Sequence, residues 1–445
     1  MICQNTLLKQ QLKNMIIINC DKMKINLQTY GCTFNQADTA IMKSILEEDN
    51  TIVDNMEDAD VIILNTCYVK RPTEQKMITK IHEIETKFPD KKLIIAGCMV
   101  EVDPIRLSKF SKTASWIGPH KLDRVADVVY RTANGEIVRE TGKTAIIKAG
   151  LNKYDDSLIH ILQICEGCNG GCTFCCTRIA RGSLVSYPIS AIVKEAEDAI
   201  NHGCKELQVT AQDTACFGMD SGESFADLLQ QLSDIPGDFR IRVGMMNPRS
   251  LKNEFKDIVR VFKNNEKIYK FLHLPIQSGS DKVLKEMNRL HELNLFLELL
   301  DYFKSEVPEL SIATDIIVGY PTETEEDFQE TIKLLKDIKP DIIHISKYMH
   351  RPGAISSSLD EIDHKVMKDR SHRLNKVKTE VMLENNLKYV GTHQKVLILS
   401  EGSRGGYVGY TNSYKNIIID EAEIGTFMDV EIVDAKRTYL LAKAL

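Results

Sequence analysis

Residues 165–176 read CEGCNGGCTFCC, and within them Cys168, Cys172 and Cys175 are spaced C-x3-C-x2-C. Thiolates in such a compact set favour zinc or an iron–sulfur cluster. Zinc sites usually present four ligands in two pairs, whereas this group offers three. Gly167, Gly170 and Gly171 flank the thiols, so the backbone can approach a bulky group closely. The spacing favours a three-cysteine iron–sulfur cluster with one iron open, and a zinc knuckle is the competing reading. Cys165 and Cys176 fall outside the spacing and read as small buried residues. Spacing does not decide between Cys175 and Cys176 for the third place.

Outward from this stretch, apolar runs alternate with helical patterns. Candidate strands are 159–164, 206–211, 240–243, 271–275, 311–318 and 342–347. Helical segments 188–202, 281–287 and 324–338 lie between them, the last with Thr324 as its cap. This β/α repetition predicts a parallel barrel or partial barrel across 150–388. A long polar helix over 363–387 closes it. On the N-terminal side, strands at 24–30, 61–65 and 93–97 alternate with helices at 35–48 and 74–88. They predict a small α/β domain over 24–140. Residues 1–23 follow no such pattern and are read as an extension of uncertain structure. Beyond 390, short strands and five glycines (402, 405, 406, 409 and 425) predict a small all-β barrel. The fold class is therefore multidomain α/β with an all-β tail.

The chain has 445 residues, with 57 Lys+Arg against 63 Asp+Glu, a formal charge of −6. That excludes a globally basic nucleic-acid binder but not a local patch. No apolar run approaches the ~20 residues of a membrane helix, and the N-terminus lacks a secretory h-region. A cytoplasmic protein without membrane attachment is the expectation. Twelve cysteines in a reducing compartment then point to metal, catalytic or core roles rather than disulfides.

Cys32, Cys67 and Cys98 are far apart in sequence but each follows a predicted strand. In a parallel sheet those strand ends share the edge where ligands bind. Each alone reads as an ordinary half-buried cysteine; three at equivalent positions can converge on a second site.

The spacing of Cys168, Cys172 and Cys175 after a barrel strand resembles the radical S-adenosylmethionine (SAM) superfamily. Residues 165–188, TAQDT at 210–214, HLPIQSGSD at 273–281, MNR at 287–289 and TDIIVGYPTET at 314–324 resemble its methylthiotransferase branch. The motifs TYGCTFN at 29–35, NTC at 65–67 and AGC at 96–98 match that family's N-terminal domain. The likeness runs from about residue 24 to the end. The resemblance implies two 4Fe–4S clusters, a radical SAM cluster on Cys168, Cys172 and Cys175 and an auxiliary one on Cys32, Cys67 and Cys98. It also implies SAM as cosubstrate. By the same resemblance, one SAM would methylate a sulfur on the auxiliary cluster, and a second would yield the radical that removes hydrogen from the substrate. It places Gln212, Asp213, Gln277, Ser278, Arg289 and Gly319 as candidates for binding SAM. Helix capping is the plainer reading for Ser278.

Residues 401–415 (EGSRGGYVGYTNSYK) resemble a TRAM domain, a small β-barrel that binds RNA. Arg404 and Lys415 are candidates for phosphate, and Tyr407, Tyr410 and Tyr414 for base stacking. Lys365, Lys368, Arg370, Arg373, Lys376 and Lys378 form a basic run, read first as a solvated helix face. Trp116, His273, His344 and His350 read as packing or surface residues. The motifs look most like the branch acting on N6-threonylcarbamoyladenosine in tRNA, at the adenosine 3′ of the anticodon. The implied partners are the tRNA anticodon stem-loop, an electron donor and a sulfur source, with no DNA. Isopentenyladenosine in tRNA, an aspartate of a ribosomal protein, and a non-catalytic RNA-binding protein stabilised by metal are the competing functions.

Overall fold

The computed structural model describes residues 22–69, 71–144, 146–153, 157–289 and 292–445. Residues 1–21, with most of the expected extension and with Cys3 and Cys20, lie outside the described residues.

The N-terminal domain is a parallel sheet of six strands in the order β2-β1-β3-β4-β5-β6. They are β1 (Lys24–Tyr30), β2 (Thr51–Ile52), β3 (Val61–Thr66), β4 (Lys92–Gly97), β5 (Ser115–Ile117) and β6 (Arg139–Glu140). Every residue of β3 is buried, which explains its continuous apolar run: helices cover both faces of the sheet. Three strands were expected; β2, β5 and β6 are too short to show a period of two. The helix expected at 35–48 runs Thr33–Leu46, and Cys32 is its N-cap residue.

The central domain is a partial barrel of two parallel three-stranded sheets. One joins β7 (Ile159–Gln163), β10 (Glu206–Thr210) and β11 (Arg240–Val243). The other joins β12 (Phe271–His273), β13 (Ser311–Val318) and β14 (Ile342–Lys347). A parallel bridge between Ile241 and Ile268 links the two sheets. Side chains alternate along these strands. Leu207, Val209, Ile241, Val243, Ile312 and Ile316 pack under the helices. Phe271 and Ala313 pack together on the opposite, inner face. A short antiparallel pair, β8 (Cys165–Glu166) with β9 (Val185–Ser186), frames the cysteine loop.

The C-terminal strands β15 (His393–Glu401), β16 (Tyr407–Thr411), β17 (Asn416–Ile419), β18 (Phe427–Ala435) and β19 (Leu440–Ala444) close into a barrel, as expected. This barrel docks through residues that the sequence suggested for RNA. Lys415 is buried, its Nζ 2.6 Å from Asp341 Oδ1 and 2.9 Å from Asn386 Oδ1. The Tyr414 ring lies 4.8 Å from that of Tyr269 and 5.0 Å from that of Phe271, and stacks on Tyr410 at 4.5 Å. Lys415, Tyr410 and Tyr414 therefore join two domains, and the buried Lys415 ammonium is taken up by Asp341 and Asn386 instead of being offered to phosphate.

The N-terminal domain is joined to the central barrel by charge. Asp38, Lys148, Glu166 and Arg181 are all buried and form a closed set. Arg181 donates to Asp38 Oδ2 and to Glu166 Oε1, each at 2.7 Å. Lys148 Nζ lies 2.9 Å from Asp38 Oδ1 and 2.9 Å from Glu166 Oε2. Gln163 Nε2 adds a bond to Asp38 Oδ1 at 3.1 Å, and Arg181 lies 4.7 Å over the Phe34 ring. Two acids and two bases balance, which burial of charge demands. Burial opposes the Asp38 charge, but Arg181 and then Lys148 outweigh it and hold the carboxyl below its ordinary value.

Replacing Asp38 by Asn leaves two buried cations facing one carboxylate. It is expected to cost about 3–5 kcal/mol, read by urea denaturation. A depressed carboxyl stabilises the fold fully above the unfolded value of roughly 3.9 and loses that contribution as pH falls through the lower folded value. The wild type should therefore lose stability in that acid window, and D38N should lose less.

Candidate metal centres and the cavity between the domains

The first thiol set lies on the loop after β8. Gly167 has φ +82°, and a Cβ there would collide with the Ser183 carbonyl, so only glycine carries the chain around this corner. The Gly170 N–H donates to Cys168 Sγ at 3.1 Å, and Arg289 Nη1 lies 3.8 Å from Cys172 Sγ. Both favour negative sulfur. Asn288 Nδ2 donates to the Gly171 carbonyl at 2.8 Å and ties the loop to the MNR segment. Burial pushes the Cys168 thiol up to about 12, so a bound metal must displace its proton.

The second set stands on the C-terminal edge of the N-terminal sheet. Cys32 follows β1 and is exposed, Cys67 follows β3 and is buried, and Cys98 opens the helix Cys98–Val102 after β4. Asn35 Nδ2 donates to Asn65 Oδ1, and Asn65 Nδ2 returns a bond to the Asn35 carbonyl, each at 2.8 Å. This exchange pins the Cys32 turn to the Cys67 turn. Gly97, at φ +92°, leaves room for Asn65 and Thr66 where a Cβ would collide. The motifs TYGCTFN, NTC and AGC thus each supply a thiol, and Asn35, Asn65 and Gly97 within them hold the three turns together. Burial, then the neighbouring Cys32, raises the Cys67 thiol. Burial pushes Cys98 up to about 12, with Arg181 opposing it.

Cys176 separates the two sets. It follows Cys175 directly, is buried, and its Sγ lies 3.6 Å from the Tyr68 carbonyl beside Cys67. Cys175 instead lines the cavity together with Cys168 and Cys172. Among the described residues, neither thiol set closes to within 4.8 Å mutual spacing; the one His/Cys/Asp/Glu group that does is His273, Asp315 and His344. Two open thiol triads suit a multi-iron cluster better than a single ion. None of the ten described cysteines is joined in a disulfide. Cys165, Cys204 and Cys216 are core residues.

A cavity of about 670 Å³ opens over the first set, lined by Cys168, Cys172, Cys175, Gln212, Gln277 and Arg289 among others. Gln277 has φ +79°, an uncommon conformation for a residue with a side chain. Among the described residues its amide has no hydrogen-bond partner. Gln212 Oε1 accepts the Gly167 N–H at 2.7 Å. Asp213 lines the cavity, but its carboxylate already accepts from Ala215 N, Asn247 N and Ser250 Oγ. Those three bonds fix its orientation at the cavity rim. Two candidates do not line the cavity. Ser278 Oγ is buried against Thr331 Oγ1 and the Ser280 N–H, and the Gly319 N–H donates to Glu323.

Sequence reasoning missed His120, which the N-terminal domain contributes to the cavity wall, and Lys143, which the segment joining the domains contributes. His120 Nε2 donates to the Arg181 carbonyl at 3.1 Å, and burial lowers its pKa against the raising effect of Glu166. It also missed the Asp38–Lys148–Glu166–Arg181 set. Charged residues inside two glycine- and cysteine-rich motifs were the available signal.

On the C-terminal barrel, Arg404 is exposed and Tyr407 half-buried. In the long helix His364–Leu387, Arg370 is buried on Glu323 at 2.9 Å and Arg373 pairs with Glu325 at 2.7 and 2.9 Å. Lys365, Lys368 and Lys376 remain exposed. The basic run is thus partly a packing face.

A three-thiol loop on a partial β/α barrel, with a second three-thiol edge beside it, defines a radical SAM protein with an added cysteine domain. Comparison with known proteins agrees. Residues 24–118 match the model of "Uncharacterized protein family UPF0004", 162–335 that of the radical SAM superfamily, and 387–445 that of the TRAM domain. A probable threonylcarbamoyladenosine tRNA methylthiotransferase of Methanothermobacter thermautotrophicus is 50% identical over 423 residues, 95% of this chain and 100% of that protein. The threonylcarbamoyladenosine tRNA methylthiotransferase of Homo sapiens is 33% identical over 94% of this chain and 73% of its own length. Among solved structures, the radical SAM methyltransferase TsrM of Kitasatospora setae, with cobalamin and a 4Fe–4S cluster bound, superposes with a TM-score of 0.57. Its identity is 11%, and the match covers 76% of this chain and 74% of that one. The chain belongs to the threonylcarbamoyladenosine tRNA methylthiotransferase family. Among the described residues, no helix is long and apolar enough to cross a membrane.

Two substitutions separate docking from RNA contact on the C-terminal barrel. Lys415→Met strands the Asp341 carboxylate and should lower stability by about 3–5 kcal/mol in chemical denaturation. Arg404→Ala, at an exposed position, should stay within roughly 0.5 kcal/mol of wild type and weaken tRNA binding in a filter or anisotropy assay.

Proposed function

We propose that this chain converts N6-threonylcarbamoyladenosine to its 2-methylthio form in tRNA, at the adenosine 3′ of the anticodon. The observation that carries this reading is a cavity lined by one three-thiol set, with Cys176 reaching from that set to the Tyr68 carbonyl next to Cys67 of the second. The relatives' names favour this nucleoside over isopentenyladenosine or a ribosomal-protein aspartate.

Both thiol sets fit 4Fe–4S clusters: the donors are all sulfur, each set has three, and glycines leave room around them. Cys168, Cys172 and Cys175 would hold the radical SAM cluster, and Cys32, Cys67 and Cys98 the auxiliary one. The first, when bound and reduced, supplies the electron that opens SAM to a carbon radical able to break an unactivated C–H bond. The protein's part is to bind, orient and exclude water. Arg289 presents a guanidinium to the Cys172 side of the cavity, suited to a carboxylate. The Gln277 amide offers a donor and an acceptor to SAM. Gln212 keeps the loop closed by holding the Gly167 N–H. Asp38 and Arg181 hold the N-terminal domain over the cavity.

The substrate RNA would meet Arg404, Tyr407 and the exposed lysines 365, 368 and 376. An electron donor and a sulfur source are required partners. DNA is not expected to bind, and the cytoplasm is where this reading places the reaction.

Anaerobic reconstitution tests the cofactor assignment. The wild type should take up about eight irons per chain, and replacing either thiol triad with alanine should leave about four. Only loss of Cys168, Cys172 and Cys175 should abolish SAM cleavage to 5′-deoxyadenosine. Loss of Cys32, Cys67 and Cys98 should spare cleavage and abolish methylthiolation, read by nucleoside mass spectrometry of tRNA. Methylthiolation intact without the second triad would defeat the two-cluster reading.

A further inference from the structure

His273, Asp315 and His344 come from three adjacent parallel strands, β12, β13 and β14. The alternation of side chains places all three on the inner face of the barrel. Asp315 shares the face of Ala313, His273 that of Phe271, and His344 that of Ile342, and those apolar partners form one cluster. Ile312 and Ile316, one step out of phase, pack under the helices instead. Strand order therefore delivers two imidazoles and one carboxylate to a single spot on the wall.

The spot has the dimensions of a metal site. One ligand atom from each residue lies within 4.8 Å of the other two. His273 Nε2 and Asp315 Oδ2 are 3.0 Å apart. Two atoms each bound about 2.0–2.1 Å from one ion stand roughly 3 Å apart, so an ion can replace the proton between them. The His273 and His344 rings are 5.6 Å apart, which leaves the second imidazole a short rotation from the same point. His344 is exposed and the other two are half-buried, so an ion has a path in.

The geometry points to a divalent first-row transition-metal site, of the two-histidine-one-carboxylate type, on His273, Asp315 and His344. Imidazole with carboxylate selects zinc or iron(II) over magnesium or calcium. Three protein ligands leave positions open toward the barrel interior, as in sites that bind an exchangeable oxygen ligand. The site is separate from both thiol triads in residues and in donor chemistry. It stands whether or not the nucleoside assignment holds.

The test uses holoenzyme with both clusters in place, so that the cysteines are occupied. After incubation with Zn2+ and desalting, wild type should retain one zinc per chain beyond the irons. X-ray absorption at the zinc edge should show only nitrogen and oxygen at roughly 2.0–2.1 Å. His344→Ala, at an exposed position, and Asp315→Asn, which keeps the side chain's shape, should each weaken zinc affinity at least tenfold. Iron content should not change in either. A zinc shell containing sulfur at roughly 2.3 Å would overturn the assignment. Equal zinc retention by wild type and H344A would do the same.

Discussion

Four buried charges hold this molecule in its working arrangement. Asp38 comes from the N-terminal domain, Lys148 from the segment joining the domains, and Glu166 and Arg181 from the cysteine loop and the helix that follows it. A buried ion is tolerated only when fully paired, so each domain is incomplete without the other. The arrangement is directional as well. Charge-assisted bonds fix angle and distance, which an apolar seam would leave looser. That rigidity is transmitted to chemistry because Arg181 and the thiols share one short element. The helix Thr177–Arg181 begins two residues after Cys175 and ends on Asp38.

The consequence is a cavity with walls from two domains. The barrel supplies Cys168, Cys172, Cys175, Gln277 and Arg289, the N-terminal domain supplies His120, and the segment joining them supplies Lys143. His120 is bonded to the Arg181 carbonyl, so the same arginine that binds Asp38 also orients the cavity wall. A reaction that generates a radical needs such enclosure, because water and stray hydrogen donors compete for it. The C-terminal barrel is anchored on a similar principle, through Lys415, Asp341 and Asn386.

Much of this was legible in the sequence where local chemistry writes it directly. The C-x3-C-x2-C spacing marked one thiol set, and the strand-then-cysteine pattern marked the other. The six barrel strands were visible because apolar runs of four to eight residues survive in any parallel sheet. What stayed hidden depended on contacts between distant segments. Lys415 and Tyr414 carry the residue types of an RNA surface, but docking against Asp341 and Phe271 turned them inward. Ser278, a candidate for SAM or for a cap, instead buries its hydroxyl against Thr331, 53 residues away, and the N-cap position falls to Ser280. Asp213, a SAM-binding candidate by resemblance, is engaged by Asn247 and Ser250, contacts no local pattern shows. The strands β2, β5 and β6 have two or three residues, too few for a pattern.

The central claim is that the buried charges keep the two thiol sets close across Cys176. Electron paramagnetic resonance of reduced, fully reconstituted protein measures this most directly, because neighbouring paramagnetic clusters broaden and split one another's signals. The wild type is expected to show that interaction. In D38N, with both clusters still present by iron analysis, it should weaken or disappear. Two independent, non-interacting signals in the wild type, or an interaction unchanged in D38N, would contradict it.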